Sequence, residues 1–300
     1  MKSTFFQTAF AVSMTGAAMA QPASGYFSDY AEYNDEAHKI LDGLDIKTGA
    51  IELEDGVKLA LPKDFYFLDK GDAKEILVDA WGNPPENMEG ALGMIFPAKY
   101  TPISDASWGI KLSFDKMGYV KDEDAASTNY DELLSGMKSD VLEGNAERSQ
   151  AGYDPITLIG WASPPVYDQA NKRLHWAKEL QFGDEAAHTL NYDVRFFGRE
   201  GVFIMSYIAG MSQLPEIKAN LDPVLSLVSF KEGKKYSDFT PGMDTVAAVG
   251  IGGLIAGKIA AKVGLLALGL VFIKKFFVLI LVPLLWLGRR VKSMFSKGEA

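Results

Sequence analysis

The sequence has no cysteine, and this absence excludes disulfide bonds, thiol nucleophiles and cysteine-ligated zinc or iron–sulfur centres. Histidine is also scarce: the chain has three, His38, His175 and His188, and no two of them have the His-x-x-x-His spacing that zinc sites use. The Gly-x-Ser-x-Gly, Gly-x-Gly-x-x-Gly and P-loop motifs are absent as well. We therefore expect no cofactor and no metal site, and no motif assigns a catalytic residue.

Charge is distributed unevenly along the chain. Residues 21–245 carry 38 acidic and 21 basic residues, a net charge of about −17, whereas residues 246–300 carry eight basic residues and one acid. A protein that binds nucleic acid needs a basic surface to contact the phosphates. We therefore expect no nucleic-acid partner for the acidic part of the chain.

The N-terminal residues 1–20 have the pattern of a cleavable secretory signal peptide. Lys2 supplies the positive charge, an apolar stretch follows, and Ala18-Met19-Ala20 is a typical small-x-small cleavage site. This pattern predicts export of a globular domain that comprises residues 21–245. About 225 residues are enough for one domain with its own hydrophobic core.

The C-terminal residues 246–288 contain no acid and are predicted to be a membrane anchor. Two overlapping windows, 246–273 and 263–287, are each long and apolar enough to cross a bilayer, and we expect one crossing that ends near Leu287. Whether the Gly/Ala-rich residues 246–262 are inserted stays open. The basic residues of 289–300 predict a cytoplasmic tail, which places the domain in the periplasm of a bacterial inner membrane.

Gly253 and Gly257 form a Gly-x-x-x-Gly motif within this segment. Small residues at this spacing allow close packing of membrane helices. The motif predicts helix packing in the membrane and self-association, although apolar glycine-rich segments also contain it by chance.

Turn residues and apolar alternation predict an α+β fold, with a mainly antiparallel sheet, flanking helices and a C-terminal transmembrane helical segment. Asp55-Gly56 is typical of a tight hairpin turn between residues 51–54 and 57–61. Asn129, followed by Glu132, is typical of a helix start and predicts a helix over residues 129–147. Strands are predicted over residues 65–68, 91–96, 108–114, 156–161, 174–182, 189–197 and 202–209, with further helices over 26–44 and 215–228. Pro164-Pro165 is expected to lie between strands.

Two groups of titratable residues are candidates for chemistry. Asp122, Glu123 and Asp124 are hard oxygen ligands, but their spacing is not that of a calcium loop, and consecutive acids in a turn are usually solvated. His175 and Glu179 share the face of a predicted strand and are candidates for an acid–base pair. The alternative is a histidine that packs on the sheet.

Asn191, Arg195 and Arg199, together with Tyr192, form the densest polar group near a predicted turn. A bidentate arginine site for a carboxylate or a phosphate is one interpretation. The alternative is an internal ion pair between Asp193 and Arg195, which share a strand face.

Aromatic side chains beside prolines form a further candidate group. Trp81 and Asn83 belong to a Trp-Gly-Asn-Pro-Pro sequence, and Trp161 precedes Pro164-Pro165. Such residues suit a recognition surface for a peptide or a glycan. Equally, they could fasten loops to the core.

The chain resembles the uncharacterised, membrane-anchored bacterial family called domain of unknown function 2167. The similarity extends over most of residues 40–285, anchor included. Four motifs carry it, in order along the chain: residues 81–85, 118–125, 160–177 and 190–201. The resemblance implies this architecture and assigns no activity. The element order also resembles Mog1/PsbP-type sandwiches, a likeness of topology that carries no function.

These observations favour a membrane-anchored envelope protein that acts as a non-enzymatic binding or interaction module. Its expected partners are the lipid bilayer and either an envelope protein or a second copy of the chain. One alternative is a periplasmic hydrolase or transferase without a recognisable motif. Another is an oligomeric membrane assembly driven by the anchor.

Overall fold

A computed structural model of the chain describes residues 22–257, apart from residues 84, 151 and 153. The predicted signal peptide (1–20), the predicted tail (289–300) and residues 258–288 of the predicted anchor lie outside the described residues. Within the described part, none of the helices has both the length and the apolar character needed to cross a membrane.

Ten strands form two antiparallel sheets in the described part of the chain. They are β1 (Gly49–Glu52), β2 (Val57–Leu61), β3 (Phe65–Asp69), β4 (Ala91–Pro97), β5 (Gly109–Asp115), β6 (Ile156–Asp168), β7 (Arg173–Phe182), β8 (Thr189–Phe197), β9 (Val202–Gly210) and β10 (Val228–Phe230). The large sheet has the order β3-β4-β5-β9-β8-β7-β6, and the small sheet has the order β1-β2-β10. All pairs are antiparallel, which confirms the predicted α+β class with a mainly antiparallel sheet.

Seven short or medium α-helices accompany the sheets in the described residues. They are α1 (Ala23–Tyr26), α2 (Asp35–Gly43), α3 (Lys70–Lys74), α4 (Tyr130–Gln150), α5 (Leu214–Ala219), α6 (Leu221–Leu225) and α7 (Ile251–Ala256). A π-helical turn, Glu75–Ala80, continues α3. The helix predicted over residues 26–44 is interrupted between α1 and α2, because Asn34 accepts two backbone N–H groups and starts α2 anew.

The large sheet has an inner and an outer face, because successive side chains along a strand point to opposite sides. On the inner face, Val194 and Met205 pack with Val57 and Leu59 of the small sheet. The outer face carries two separate helical groups. Helices α1 to α3 cover β3 and β4, where Tyr66 is fully buried. Helices α4 and α7 pack over the β6–β7 end. The middle of the outer face lies between these groups.

The predicted hairpin turn is confirmed at Asp55-Gly56. Both residues have positive φ, 57° and 77°, as a primed turn requires, and Glu52 pairs with Lys58 in the hairpin. The predicted helix start is confirmed as well. The side-chain oxygen of Asn129 accepts the backbone N–H groups of Asp131 and Glu132, each at 3.2 Å.

The prediction that Pro164-Pro165 separates strands is wrong, because both prolines lie inside β6. This strand is at the edge of the sheet and contains three register shifts. An edge strand tolerates proline because one side of its backbone needs no sheet partner, and bulges relieve the remaining mismatch. The side chain of Asn145 fastens the start of β6 to α4, since it bonds both the N–H and the carbonyl of Ile156 at 2.8 Å.

The first part of the predicted anchor packs on the globular domain. Val246 forms a parallel bridge with Tyr119, and the N–H of Ala247 donates to the Tyr119 carbonyl at 2.8 Å. Ile251 and Ile255 of α7 are buried at 0% and 2% exposure, respectively. The packing of the domain therefore extends beyond Thr245 and reaches α7.

Gly257 ends α7 in the left-handed conformation, with φ of 69°. Glycine is preferred at this position because it has no Cβ to clash with the preceding carbonyl. Gly253, by contrast, lies inside the helix. The two glycines therefore do not share one continuous helical face, as the predicted Gly-x-x-x-Gly packing requires.

Candidate functional site

A cluster of polar side chains occupies the middle of the outer face. Cross-strand pairing places Lys111, Ser206, Asp193 and Trp176 in one row across β5, β9, β8 and β7. The next row contains Trp161, Lys178 and Asn191, and Arg195 lies two residues beyond Asp193 on β8. We call this set the central polar strip, and its members are Lys111, Trp161, Trp176, Lys178, Asn191, Asp193, Arg195 and Ser206.

Asp193 is the best-satisfied charge of the central polar strip. Its carboxylate accepts a hydrogen bond from the Ser206 hydroxyl at 2.8 Å and from Nη1 of Arg195 at 3.1 Å. Burial alone raises the pKa of Asp193, but the charges of Arg195 and Lys178 outweigh it and hold that pKa below its ordinary value. Asp193 is therefore a fixed negative charge that positions the arginine. The predicted Asp193–Arg195 pair is confirmed.

Lys111 is buried at the β5 end of the strip, with 5% of its surface exposed. Its ammonium donates to the carbonyl of Asn87 at 2.9 Å. The pKa of Lys111 is lowered to about 8, mainly by burial and also by the charge of Arg195, while the charge of Asp193 opposes the shift. A buried lysine with this pKa remains mostly charged at neutral pH.

Several polar groups of the strip have no partner within the described residues. The indole N–H groups of Trp161 and Trp176 and the side-chain oxygen of Asn191 are buried without a hydrogen bond there. Lys178 is opposite Asn191, and its ammonium also makes no hydrogen bond to any residue of the described part. Burial lowers the pKa of Lys178. Buried polar groups are normally satisfied, so the three buried atoms of Trp161, Trp176 and Asn191 are exceptions on this sheet face.

Arg195 links the rows of the strip. Its guanidinium stacks on the Trp176 ring, 5.1 Å from the centroid, while one nitrogen pairs with Asp193. Asp115, at the end of β5 on the same face, adds a second carboxylate; burial raises its pKa and the charge of Arg195 lowers it. The site thus contains three basic side chains, Lys111, Lys178 and Arg195, and two acidic side chains, Asp193 and Asp115.

The structure places Asp122 and Asp124 at structural positions. Asp122 accepts hydrogen bonds from Tyr167, from Lys172 at 2.7 Å and from Tyr236 at 3.1 Å. The Asp124 carboxylate accepts two backbone N–H groups at the start of α7, at 3.0 and 3.1 Å. Protein donors therefore occupy both carboxylates. In the described residues, no three His, Asp or Glu side chains are arranged to hold a metal ion.

The proposed pair of His175 and Glu179 does not form. Positions 175 and 179 share a face, but four residues of strand separate them by about 13 Å, beyond hydrogen-bonding reach. Glu179 instead bonds Nδ1 of His188 at 2.5 Å. His175 contacts the Tyr192 hydroxyl at 3.1 Å on the inner face, and burial lowers its pKa. His175 is therefore part of the sheet packing.

Trp81 and Asn83 fasten a loop to the core and do not form a recognition surface. Both are 4% exposed, and the Trp81 indole donates to the carbonyl of Pro102 at 2.9 Å. Asn83 accepts from the Asn87 side chain at 3.0 Å, and the Asn87 carbonyl in turn holds Lys111. This loop supports the central polar strip from outside the sheet.

Arg199 lies apart from Asn191 and Arg195, although sequence reasoning grouped the three. It makes a bidentate ion pair with Asp244, at 2.8 and 2.9 Å, which ties residues 240–244 to the β8–β9 turn. Tyr192 points to the inner face, so it is also separate from the strip.

Sequence reasoning missed Lys111, Lys178 and Ser206. A usable signal exists for Lys111, because it is a single charge between Ile110 and Leu112 in an apolar strand. A lone lysine at such a position is rarely buried without a reason. The residues that lie beside Lys111 in the sheet cannot be predicted from the sequence around it, because β5 pairs with β9, which is far away along the chain.

Solved structures resemble this chain only distantly. The solution structure of cyanobacterial PsbP (CyanoP) from Synechocystis is 14% identical, with a TM-score of 0.36, and covers 61% of this chain and 91% of its own. The crystal structure of the Saccharomyces cerevisiae Ran-binding protein Mog1p is 9% identical, with a TM-score of 0.31. The match covers 66% of this chain and 100% of Mog1p. At these TM-scores the likenesses say nothing about what this chain binds.

Comparison with curated proteins gives no significant match. The family model described as "Protein of unknown function (DUF2167)" matches residues 45–285. That match includes every residue of the central polar strip and most of the predicted anchor. The chain therefore belongs to the DUF2167 family.

Proposed function

We propose that this chain is a membrane-tethered binding module of the bacterial envelope, and that its domain binds a ligand at the central polar strip. The observation that carries the proposal is one sheet face on which the buried polar atoms of Trp161, Trp176 and Asn191 have no hydrogen bond in the described residues, with the half-buried Lys178 beside them. Each such group costs free energy, about 1–3 kcal/mol, unless a partner restores its hydrogen bond. A binding site explains why a sheet face retains these groups.

Binding fits the arrangement better than catalysis does. Asp193 is already bonded by Ser206 and Arg195, and its pKa is held low, so it serves as a fixed charge and is poorly suited to accept a proton. Lys111 is held by the Asn87 carbonyl. Fixed charges with unused donors beside them are the features of a recognition site.

The tether is proposed from the sequence at both ends. Residues 1–20 have the composition of a signal peptide, and residues 258–288 continue the acid-free apolar stretch. This arrangement would place the acidic domain in the periplasm and the basic tail in the cytoplasm. We propose the lipid bilayer as one partner, and an envelope protein or a second copy of the chain as another.

Native mass spectrometry of the full chain, extracted gently from membranes, tests the binding function. We expect additional mass on the wild-type chain and on the control Lys63→Met, whose lysine is exposed in a loop far from the strip. We expect Lys178→Met to lose that mass. Equal occupancy of the three chains, or a wild-type chain without any bound mass, would contradict the proposal.

A further inference from the structure

We infer that the outer edge of β10 is the docking site for an extended, acidic peptide segment of a partner protein, which adds a strand to the small sheet. The segment lies in an open groove beside β10, which we call the edge groove. None of the residues that line the edge groove belongs to the central polar strip, so this inference does not depend on the ligand proposed there.

The backbone of β10 has one unused side. Among the described strands, β10 pairs with β2 alone and is therefore an edge strand. The carbonyl of Leu227 accepts the N–H of Ala60 at 2.9 Å. Because such bonds alternate along an antiparallel strand, Leu227 and Ser229 bond towards β2, while the N–H and C=O groups of Val228 and Phe230 point away from it. These four groups have no hydrogen-bond partner in the described part of the chain.

The edge groove is a cavity of about 650 Å³ beside this unused backbone. Six aromatic side chains contribute to its walls: Tyr119, Phe196, Phe197, Phe230, Tyr236 and Phe239. The ring of Tyr119 stacks on those of Phe239 and Tyr236, with 3.9 and 4.3 Å between centroids. The Tyr236 hydroxyl donates to the Val120 carbonyl at 2.9 Å. Contacts within the protein therefore hold these walls in place, and the groove is preformed.

An extended peptide matches both features of the edge groove. Strand addition obtains affinity from main-chain hydrogen bonds and specificity from pockets for alternate side chains. A peptide backbone offers donors and acceptors at the spacing of the free groups of Val228 and Phe230. Alternate side chains of the added strand point into the groove, where a large apolar side chain contacts the aromatic walls.

The charges of the edge groove indicate an acidic segment. The charged residues that line it, Lys172 and Lys235, are both basic, whereas residues 21–245 carry a net charge of about −17. Lys172 pairs with Asp122 at 2.7 Å, but Lys235 is exposed and makes no ion pair with any described residue. A carboxylate of the peptide complements Lys235. A second copy of the chain is a poorer occupant, because two strongly acidic domains repel each other.

The test begins with a selection of random short peptides displayed on phage against the full chain in detergent. Fluorescence anisotropy then measures the affinity of the enriched peptides, and we expect these to contain a large apolar residue and an acid. Phe230→Pro should weaken their binding by about tenfold, because it removes one of the free N–H groups. Phe230→Val loses the same ring but keeps the N–H, so it should weaken binding less. Lys235→Gln should weaken binding by about threefold, and the control Lys63→Gln should leave it unchanged.

Methylated peptides test strand pairing without any change in the protein. When one backbone nitrogen of an enriched peptide is methylated at a time, loss and retention of binding should alternate along the peptide, because only every second N–H faces β10. A selection without enrichment, enriched peptides that are basic, or binding that tolerates a methyl group at every position would overturn the inference. A wild-type dimer that Phe230→Pro converts to a folded monomer, as seen by analytical ultracentrifugation and circular dichroism, would assign the edge to a second copy and overturn it as well.

Discussion

Lys178 and Asn191 are directly opposite each other on β7 and β8, yet neither the ammonium of one nor the side-chain oxygen of the other has a hydrogen bond in the described part of the chain. Two residues away on β8, Asp193 is fully engaged by Ser206 and Arg195. This contrast between neighbouring residues on one sheet face is the basis of the binding site that we propose.

Replacing Lys178 by methionine should stabilise the empty domain. Methionine keeps most of the side-chain volume and removes a charge that burial disfavours, as the lowered pKa of Lys178 indicates. We expect the free energy of unfolding to rise by about 1 kcal/mol, as measured by urea denaturation of the ligand-free full chain. Lys63→Met is the control and should change it little; a destabilised Lys178→Met chain would mean that Lys178 supports the fold and is not reserved for a ligand.

The lowered pKa of Lys111 predicts how stability depends on pH. The lysine has a pKa of about 8 in the folded chain and 10.5 in the reference state, so the unfolded chain binds more protons between these values. The free energy of unfolding should therefore rise as pH increases from about 8 to about 10.5. We expect this rise to be smaller in Lys111→Met. Parallel pH profiles of the two chains in chemical denaturation would show that Lys111 keeps an ordinary pKa.

Asp124 should hold α7 against the domain. Its carboxylate accepts the N–H groups of Ile251 and Gly252, so Asp124→Ala removes both bonds. We expect a loss of about 1 kcal/mol in the free energy of unfolding and faster amide hydrogen exchange at residues 251–256. Glu123→Ala is the matched control, because Glu123 is exposed beside it. Similar exchange in the two variants would contradict the role assigned to Asp124.

The proposed topology predicts protease sensitivity. In intact cells the domain should be protected, and in spheroplasts added protease should remove it while a tag after Ala300 stays protected. A domain that is protected in spheroplasts and degraded only after lysis would place it in the cytoplasm. Immunoblots with antibodies to the domain and to the tag give both readouts.

Local patterns predicted the elements whose signals are contained within a few residues. Alternation identified β7 to β9, and it placed Asn191, Asp193 and Arg195 on one strand face, as the register confirms. The Asp55-Gly56 turn and the Asn129 cap were predicted for the same reason, since backbone geometry there depends on those residues themselves.

The composition of the site depends on strand order, which local patterns do not contain. Lys111 reaches Asp193 only because β5 pairs with β9, and this pairing joins distant parts of the chain. The same limitation explains why the prediction for Pro164-Pro165 was wrong. Prolines are compatible with β6 only because it is an edge strand, and its position in the sheet cannot be predicted from local patterns. Likewise, the sequence alone could not distinguish burial of Ile251 in the domain from its insertion in a membrane, because both require apolar residues.

The most direct measurement of the central claim is the proton–nitrogen spectrum of the tryptophan indoles in the full chain, recorded as purified with its bound mass and again after that mass has been removed by unfolding and refolding. Trp161 and Trp176 have unbonded indole N–H groups at the strip, whereas the Trp81 indole is bonded to the Pro102 carbonyl. Signals assigned by Trp→Phe variants should shift for Trp161 and Trp176 and stay in place for Trp81. If the Trp161 and Trp176 signals stay in place when the bound mass is removed, the central polar strip is not the binding site.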